Sequence, residues 1–190
     1  MRVLRAAWKL VRVVVRALAG LCTIVVLFPR MQPAQRHEQV RLWSRSMLEV
    51  LDIGLTVRGL PPRHGPVLLV ANHISWLDIL VIHAAVYCRF VAKSEVRHWP
   101  LIGTLATGAG TLYIERDSRR DALRVVHHMA DSLKAGDVLA VFPEGTTSDG
   151  VSLLPFHGNL VQAAISTQAP VQPVALKFTD AASGASSLTP

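Results

Sequence analysis

The 190-residue sequence is short of several things at once, and each shortage narrows what it can be. It has only two cysteines, Cys22 and Cys88, whose spacing makes neither a metal-ligand pattern nor a disulfide framework. Both read as buried thiols, which fits a reducing compartment. Aromatic residues are 6% of the chain, and no stretch interleaves them with basic residues as nucleic-acid readers do. No named nucleic-acid motif is present either, so nucleic acid is not an expected partner. There is no GxSxG nucleophile elbow. No internal repeat is visible. Acidic residues are outnumbered, 13 against 20 Lys and Arg, which leaves a net charge of +7 and suits an anionic partner such as a lipid headgroup or a phosphorylated metabolite. The length allows one globular domain with a sizeable core.

What is abundant is apolar: 51% of residues are hydrophobic, more than an ordinary soluble domain needs, so part of that surface is expected to meet lipid. The distribution of charge agrees. Arg2, Arg5, Lys9, Arg12 and Arg16 lie beside or within an apolar run, and Arg30, Arg36, Arg41 and Arg45 follow it, a membrane-surface pattern. The longest uncharged part of that run, Ala17 to Phe28, falls short of the ~20 residues of a simple bilayer span. Arg12 and Arg16 would have to snorkel. The expected order of readings is an uncleaved anchor dipping into the cytoplasmic leaflet of the inner membrane, then a span, then a cleaved signal, for which no small-x-small site follows. A buried soluble helix would carry arginines into a core.

Residues 37–53 place Val40, Trp43, Met47, Val50 and Leu51 on one helical stripe, an amphipathic helix and a second candidate for membrane contact. Short apolar runs at 55–58, 67–71, 90–92, 111–114, 138–142 and 171–178 read as strands. Between them, 119–134 reads as a helix with Leu123, Val126, Ala130 and Leu133 on its buried stripe, opened by Ser118 with Asp121 three positions on and closed by Gly136. Alternation of strands and helices predicts an α/β fold with a central, largely parallel or mixed sheet flanked by helices, behind an N-terminal membrane-associated helical segment. The expected division is 1–53 for those helices, 54–179 for the α/β domain and 180–190 for a serine- and alanine-rich flexible tail. Ending so soon after a strand fits a truncated chain.

Chemistry-bearing residues gather where the apolar runs end, the place where parallel sheets bind ligands. His73 follows the first of these runs, and Asp78 lies five residues on, within reach of one imidazole nitrogen. Such a contact fixes the tautomer and leaves the other nitrogen free to take a proton, which a general base requires. A packed histidine near an unrelated aspartate is the plain alternative. Residues 142–148, FPEGTTS, break a strand into a turn where Gly145 admits close backbone approach and Glu144, Thr146, Thr147 and Ser148 offer polar groups. An ordinary turn would look the same. Arg116 ends the run 111–114, where a planar guanidinium suits phosphate, or else pairs with Asp117 or Asp121. Lys93 adds a second positive charge or is simply solvated. In APVQPVAL, residues 169–176, two prolines flank an apolar strand, which marks an edge or entry position.

Taken together and in order, NHISWLD, GTLYIER, FPEGTTS and APVQPVAL resemble the glycerolipid acyltransferase family, which includes the bacterial 1-acyl-sn-glycerol-3-phosphate acyltransferases. The resemblance covers residues 67–176. It implies His73 as the base and Asp78 as its partner, an attack by a lysophospholipid hydroxyl on an acyl thioester, and an acceptor held by Arg116 with Glu144 and Gly145. Lys93 and Thr146 are implied as further substrate contacts. Acyl-CoA or acyl carrier protein is the implied donor, with no metal and no resident cofactor. Lysophosphatidic acid is the implied acceptor, with another lysolipid such as lyso-ornithine lipid, or a non-catalytic membrane-binding relative, as alternatives. The short carboxyl-terminal part leaves any acyl-tunnel elements supplied there by relatives absent or rebuilt.

Overall fold

A computed structural model describes residues 2–115, 119–180 and 183. Apolar β-prone runs flanked by glycine and proline become five strands, β1 (Val67–Ala71), β2 (Arg89–Lys93), β3 (Leu112–Ile114), β4 (Val138–Val141) and β5 (Val171–Val174). They form one sheet in the order β3-β2-β4-β1-β5, and each neighbouring pair is parallel. The expected α/β class with a parallel sheet is borne out.

A parallel sheet is covered on both faces, which is why its strands read as continuous apolar runs. The period of two sorts the side chains. Leu68, Leu139 and Val141 face α5 (Arg119–Lys134) and α6 (Asn159–Thr167), meeting Val125, Met129, Leu133, Leu160 and Ala163. Leu69, Ala71, Val138 and Ala140 face the other way, towards Ile82 of α3 (Leu77–Ala85), Cys88 and Phe90. The extent of α5 and its closure at Gly136, whose φ is +89°, are as expected. Its expected cap, Ser118, lies outside the described residues. Leu123 is a correction to the buried stripe, being 63% exposed. At 100° per residue the stripe centres near Val126 and Leu133 and includes Val125 and Met129, leaving Leu123 on its flank.

The expected strand at 55–58 does not form. Gly54, Gly59 and two prolines punctuate the segment, Leu55 turns into a core cluster, and Val57 and Arg58 are exposed. The last strand is also shorter than expected, its ladder ending at Val174. Pro173 is tolerated there because β5 is an edge strand and needs no outward N–H.

Ahead of the sheet, α1 (Arg2–Cys22) runs through a π-helical turn at Thr23–Leu27 and a 3-10 turn at Phe28–Arg30. After that, α2 (Pro33–Val50) starts with proline in its first turn, where the missing N–H costs nothing, and Gln32 and Gln35 cap it reciprocally. Residues 3–30 are long and apolar enough to cross a membrane, by length and composition. Yet α1 is folded back on α2. Lys9 pairs with Asp52 at 2.8 Å and donates to the Leu51 carbonyl, and Trp43 Nε1–H donates to the Arg16 carbonyl. A Cβ at Gly20 would sit 2.5 Å from Trp43 Nε1, so only glycine permits this approach. The stripe of α2 is likewise turned inward. Val40, Met47, Leu48 and Val50 are buried, with Met47 and Leu48 packed on Leu77, Leu80 and Ala84 of α3, burial worth about 1.5–3 kcal/mol for each large side chain. The face of α2 suspected of meeting lipid is therefore core, whereas Val3, Leu4, Trp8, Val15 and Val25 of the N-terminal helix stand exposed. Cys88 is buried as expected, but Cys22 is exposed, because it lies on the outward side of α1.

Candidate active site

The strand order decides where the site lies. From β1 the chain crosses to β2 and β3, returns to β4 beside β1, and ends at β5 on the far side, so the loops leaving β1 and β4 meet at the point where winding reverses. His73 is on the first loop and Glu144 on the second.

His73 is held from four directions. Its ring Nδ1 lies 2.7 Å from Asp78 Oδ2, the contact expected from the five-residue spacing. Its backbone N–H donates to Glu144 Oε1 at 2.8 Å. Its carbonyl accepts from the backbone N–H of Ser148 at 2.8 Å and from the Ser148 hydroxyl at 3.2 Å. Its ring lies flat on Phe142, with centroids 3.9 Å apart and 11° between the planes. Its side chain retains 18% exposure, so the ring is not sealed from solvent.

Asp78 is fully buried in the first turn of α3. One oxygen, Oδ2, accepts from His73 Nδ1, from the Ile74 N–H at 2.6 Å and from the Ser75 N–H at 2.9 Å. A carboxylate can only accept, so the proton of the neutral imidazole sits on Nδ1 and the lone pair is at Nε2. The hydroxyls of Ser75 and Ser148 hydrogen-bond to backbone groups rather than to the imidazole, so neither is an activated nucleophile.

Glu144, expected to help hold the acceptor, is engaged by backbone groups. It is 4% exposed, and its second oxygen accepts from the Leu154 N–H at 2.9 Å. Both oxygens thus tie backbone to backbone, bracing the His73 loop against the segment that follows the turn. Gly145 has a φ of +71°, a conformation that favours glycine, and its N–H closes the turn onto the Phe142 carbonyl. Beyond it, Thr146 and Thr147 are exposed. Lys93 is exposed at the end of β2. With strands about 4.8 Å apart, that end lies roughly 10 Å along the sheet from the end of β1, since β4 is between them. Arg116 lies outside the described residues.

Asn72 was not among the expected site residues. Its side chain donates to the Leu176 carbonyl at 3.1 Å and accepts from the Leu176 N–H at 2.7 Å, continuing by a side chain the ladder that β5 abandons. This accounts for the APVQPVAL stretch as a support for the His73 loop. Phe142 was also missed as a site residue. An aromatic residue at the end of an apolar strand reads as core, and only the turn after it hinted at anything else.

Burial perturbs groups behind the site. His83 on α3, 4% exposed, is pushed down to about 4 by desolvation, and Tyr87 beside it is pushed up to about 12. The Cys88 thiol is raised far out of its ordinary range by the same cause. Among the described residues, no group of three or more His, Cys, Asp or Glu is placed to hold a metal ion.

Residues 54–177 match the family model named Acyltransferase. The chain belongs to that family. Its acyltransferase relatives include a 1-acyl-sn-glycerol-3-phosphate acyltransferase of Neisseria meningitidis, 42% identical over 149 residues, 78% of this chain and 58% of the relative. A lyso-ornithine lipid O-acyltransferase of Pseudomonas aeruginosa is 41% identical over 163 residues, 84% of this chain and 62% of the relative. The chain thus spans about three fifths of the length of these curated relatives. Among solved structures, the 1-acyl-sn-glycerophosphate (LPA) acyltransferase PlsC from Thermotoga maritima shares the fold. Its TM-score is 0.65 at 23% identity, over 88% of this chain and 73% of that one.

Proposed function

We propose that this acyltransferase chain moves a fatty acyl group from a thioester, acyl-CoA or acyl carrier protein, to a lysolipid hydroxyl, with His73 as general base. The observation that carries the reading is the His73–Asp78 pair, a solvent-touching imidazole whose Nδ1 is fixed by a fully buried carboxylate. The hydroxyl proton passes to Nε2 as the oxygen attacks the thioester carbonyl carbon. Collapse of the tetrahedral oxyanion breaks the C–S bond, and the imidazolium returns the proton to the departing thiolate. The C–O ester bond and the S–H bond of the released thiol form as the O–H and C–S bonds break. No metal and no redox group enters these steps.

The proposed acceptor is 1-acyl-sn-glycerol-3-phosphate, giving phosphatidic acid, with the phosphate bound by Arg116 and assisted by Lys93. The identity to the Neisseria relative and the cationic ends of the third and second strands support it. A second reading, transfer to lyso-ornithine lipid, is favoured by a specific feature. Residues 138–158, the strand and loop on which Glu144 sits, contain no lysine or arginine and present Thr146, Thr147 and Asp149. That loop suits a zwitterionic headgroup better than a phosphate dianion, and the Pseudomonas relative bears that name. Mass spectrometry of products from lysophosphatidic acid and lyso-ornithine lipid, each with acyl-CoA and with acyl carrier protein, separates the two. A chain that acylates neither contradicts both.

Such an enzyme works at the bilayer surface, and we propose that α1 lies in the cytoplasmic leaflet rather than across the membrane. The Lys9–Asp52 pair and the Trp43–Arg16 contact support this, since a span would carry the α2 face and its charges into lipid. A Val3→Cys substitution labelled only from the cytoplasmic side is the expected result. Labelling from the opposite side would contradict it.

A further inference from the structure

Beneath the reacting residues lies a column of rings that neither acid–base chemistry nor the family assignment accounts for. His73 stacks on Phe142 at 3.9 Å, and Phe142 stacks on Phe90 at 5.5 Å with 15° between planes. Phe90 in turn meets the edge of buried His83 at 4.9 Å and 83°. Phe90 and His83 are almost wholly buried, so the column is anchored in the sheet and α3 while its upper end is the partly exposed imidazole.

We infer that Phe142 is a positioning residue for His73, one that acts through the imidazole by holding its plane and by facing the charge that the ring acquires. The inference rests on the reading of His73 as the base. The hydrogen bond to Asp78 is a single soft restraint on the ring, which can still librate about its Cβ–Cγ bond. A second ring laid flat against one face removes that motion, so Nε2 points in one direction. Position alone would make Phe142 a passive wall. Its π face adds a differential effect, because an imidazolium is attracted by the ring quadrupole more strongly than neutral imidazole is. His73 becomes an imidazolium only as the hydroxyl proton arrives, so the attraction grows towards the transition state and favours turnover over substrate binding. Glu144 and Gly145 secure this arrangement. The turn that they form fixes the backbone just after Phe142, and Glu144 ties that backbone to the His73 N–H.

The test compares Phe142→Leu with Phe142→Tyr in the full chain, assayed in membranes with acyl-CoA and the preferred lysolipid. Leucine keeps an apolar side chain and removes the ring, and tyrosine restores it. The expected result for Phe142→Leu is a kcat lower by roughly threefold to thirtyfold with KM nearly unchanged, and an acid limb of the kcat/KM–pH profile moved to lower pH. Phe142→Tyr should return kcat and the limb towards those of the unaltered chain. Thermal melts establish that each variant is folded, and Phe142→Met replaces the leucine variant if that one is not. A ring-less, folded variant with unaltered kcat and pH profile overturns the inference. So does a loss of activity with an unmoved acid limb and no rescue by tyrosine, which would make Phe142 packing only. His73→Ala, run alongside, separates the two claims: if it stays active the base assignment fails, and if it is inactive while Phe142→Leu is unaffected only the stacking inference fails.

Discussion

Replacing Asp78 by asparagine has an outcome that follows from one detail of the site. A single oxygen, Oδ2, accepts from the imidazole and from the N–H groups of Ile74 and Ser75, while Oδ1 is buried with no partner among the described residues. Three donors converge on the Oδ2 position, so the asparagine amide must place its oxygen there and its NH2 where Oδ1 now lies. The imidazole therefore keeps its tautomer. What is lost is the negative charge facing the imidazolium. Charge-assisted hydrogen bonds exceed neutral ones by about 1–2 kcal/mol, so Asp78→Asn should lower kcat roughly tenfold to thirtyfold and move the acid limb of the pH–rate profile to lower pH. Asp78→Ala leaves all three donors without an acceptor and should cost about 3 kcal/mol or more of stability as well as most activity. Steady-state acyl transfer across pH 5–9, with a thermal melt of each variant, reads both effects. A ~10⁴-fold loss in Asp78→Asn, the size seen when an asparagine imposes the wrong histidine tautomer in a serine protease, would refute the single-oxygen geometry. Unchanged kcat and an unmoved limb would refute the role of the charge.

Other outcomes follow from the same structure. In Glu144→Gln only one side-chain oxygen remains for the two N–H groups of His73 and Leu154, so the variant should lose about 1–3 kcal/mol by thermal melt and at least tenfold in activity, whereas a direct acceptor contact alone would leave the melt unchanged. His83 is held at about 4 when folded against 6.5 when unfolded, so the unfolded chain binds the extra proton. This contribution to stability is complete above pH 6.5 and falls by up to about 3 kcal/mol as pH drops from 6.5 to 4, and His83→Leu should flatten this part of the denaturation-midpoint curve relative to the unaltered chain. Exposed Cys22 should react with a maleimide in detergent while buried Cys88 reacts only on unfolding, and mass spectrometry of the labelled chain counts the two.

Local chemistry was legible in the sequence where local geometry sufficed. The five-residue spacing of His73 and Asp78 brings the two together because the strand end, a short loop and the first turn of α3 leave little freedom between them. The strands announced themselves as apolar runs because a parallel sheet buries both faces. Residues whose roles depend on distant partners were harder. Glu144 points at the His73 backbone, 71 positions away, and Asn72 at Leu176, 104 positions away, and neither partner is visible in a turn motif. The stripe of α2 was plain, but periodicity cannot say whether an apolar face meets lipid or protein, and here it meets α3. The run 55–58 had strand composition without a neighbour to pair with, and pairing, not composition, makes a strand.

The proposed mechanism requires a lysolipid hydroxyl to lose its proton to His73. The most direct measurement is acyl transfer by the full chain and by His73→Ala, at matched membrane levels, with defined lysolipids and a labelled acyl thioester, products being identified by mass spectrometry. A new ester on the lysolipid hydroxyl with the unaltered chain, and a loss of at least a hundredfold with His73→Ala, is the predicted result. Full transfer by His73→Ala would contradict it.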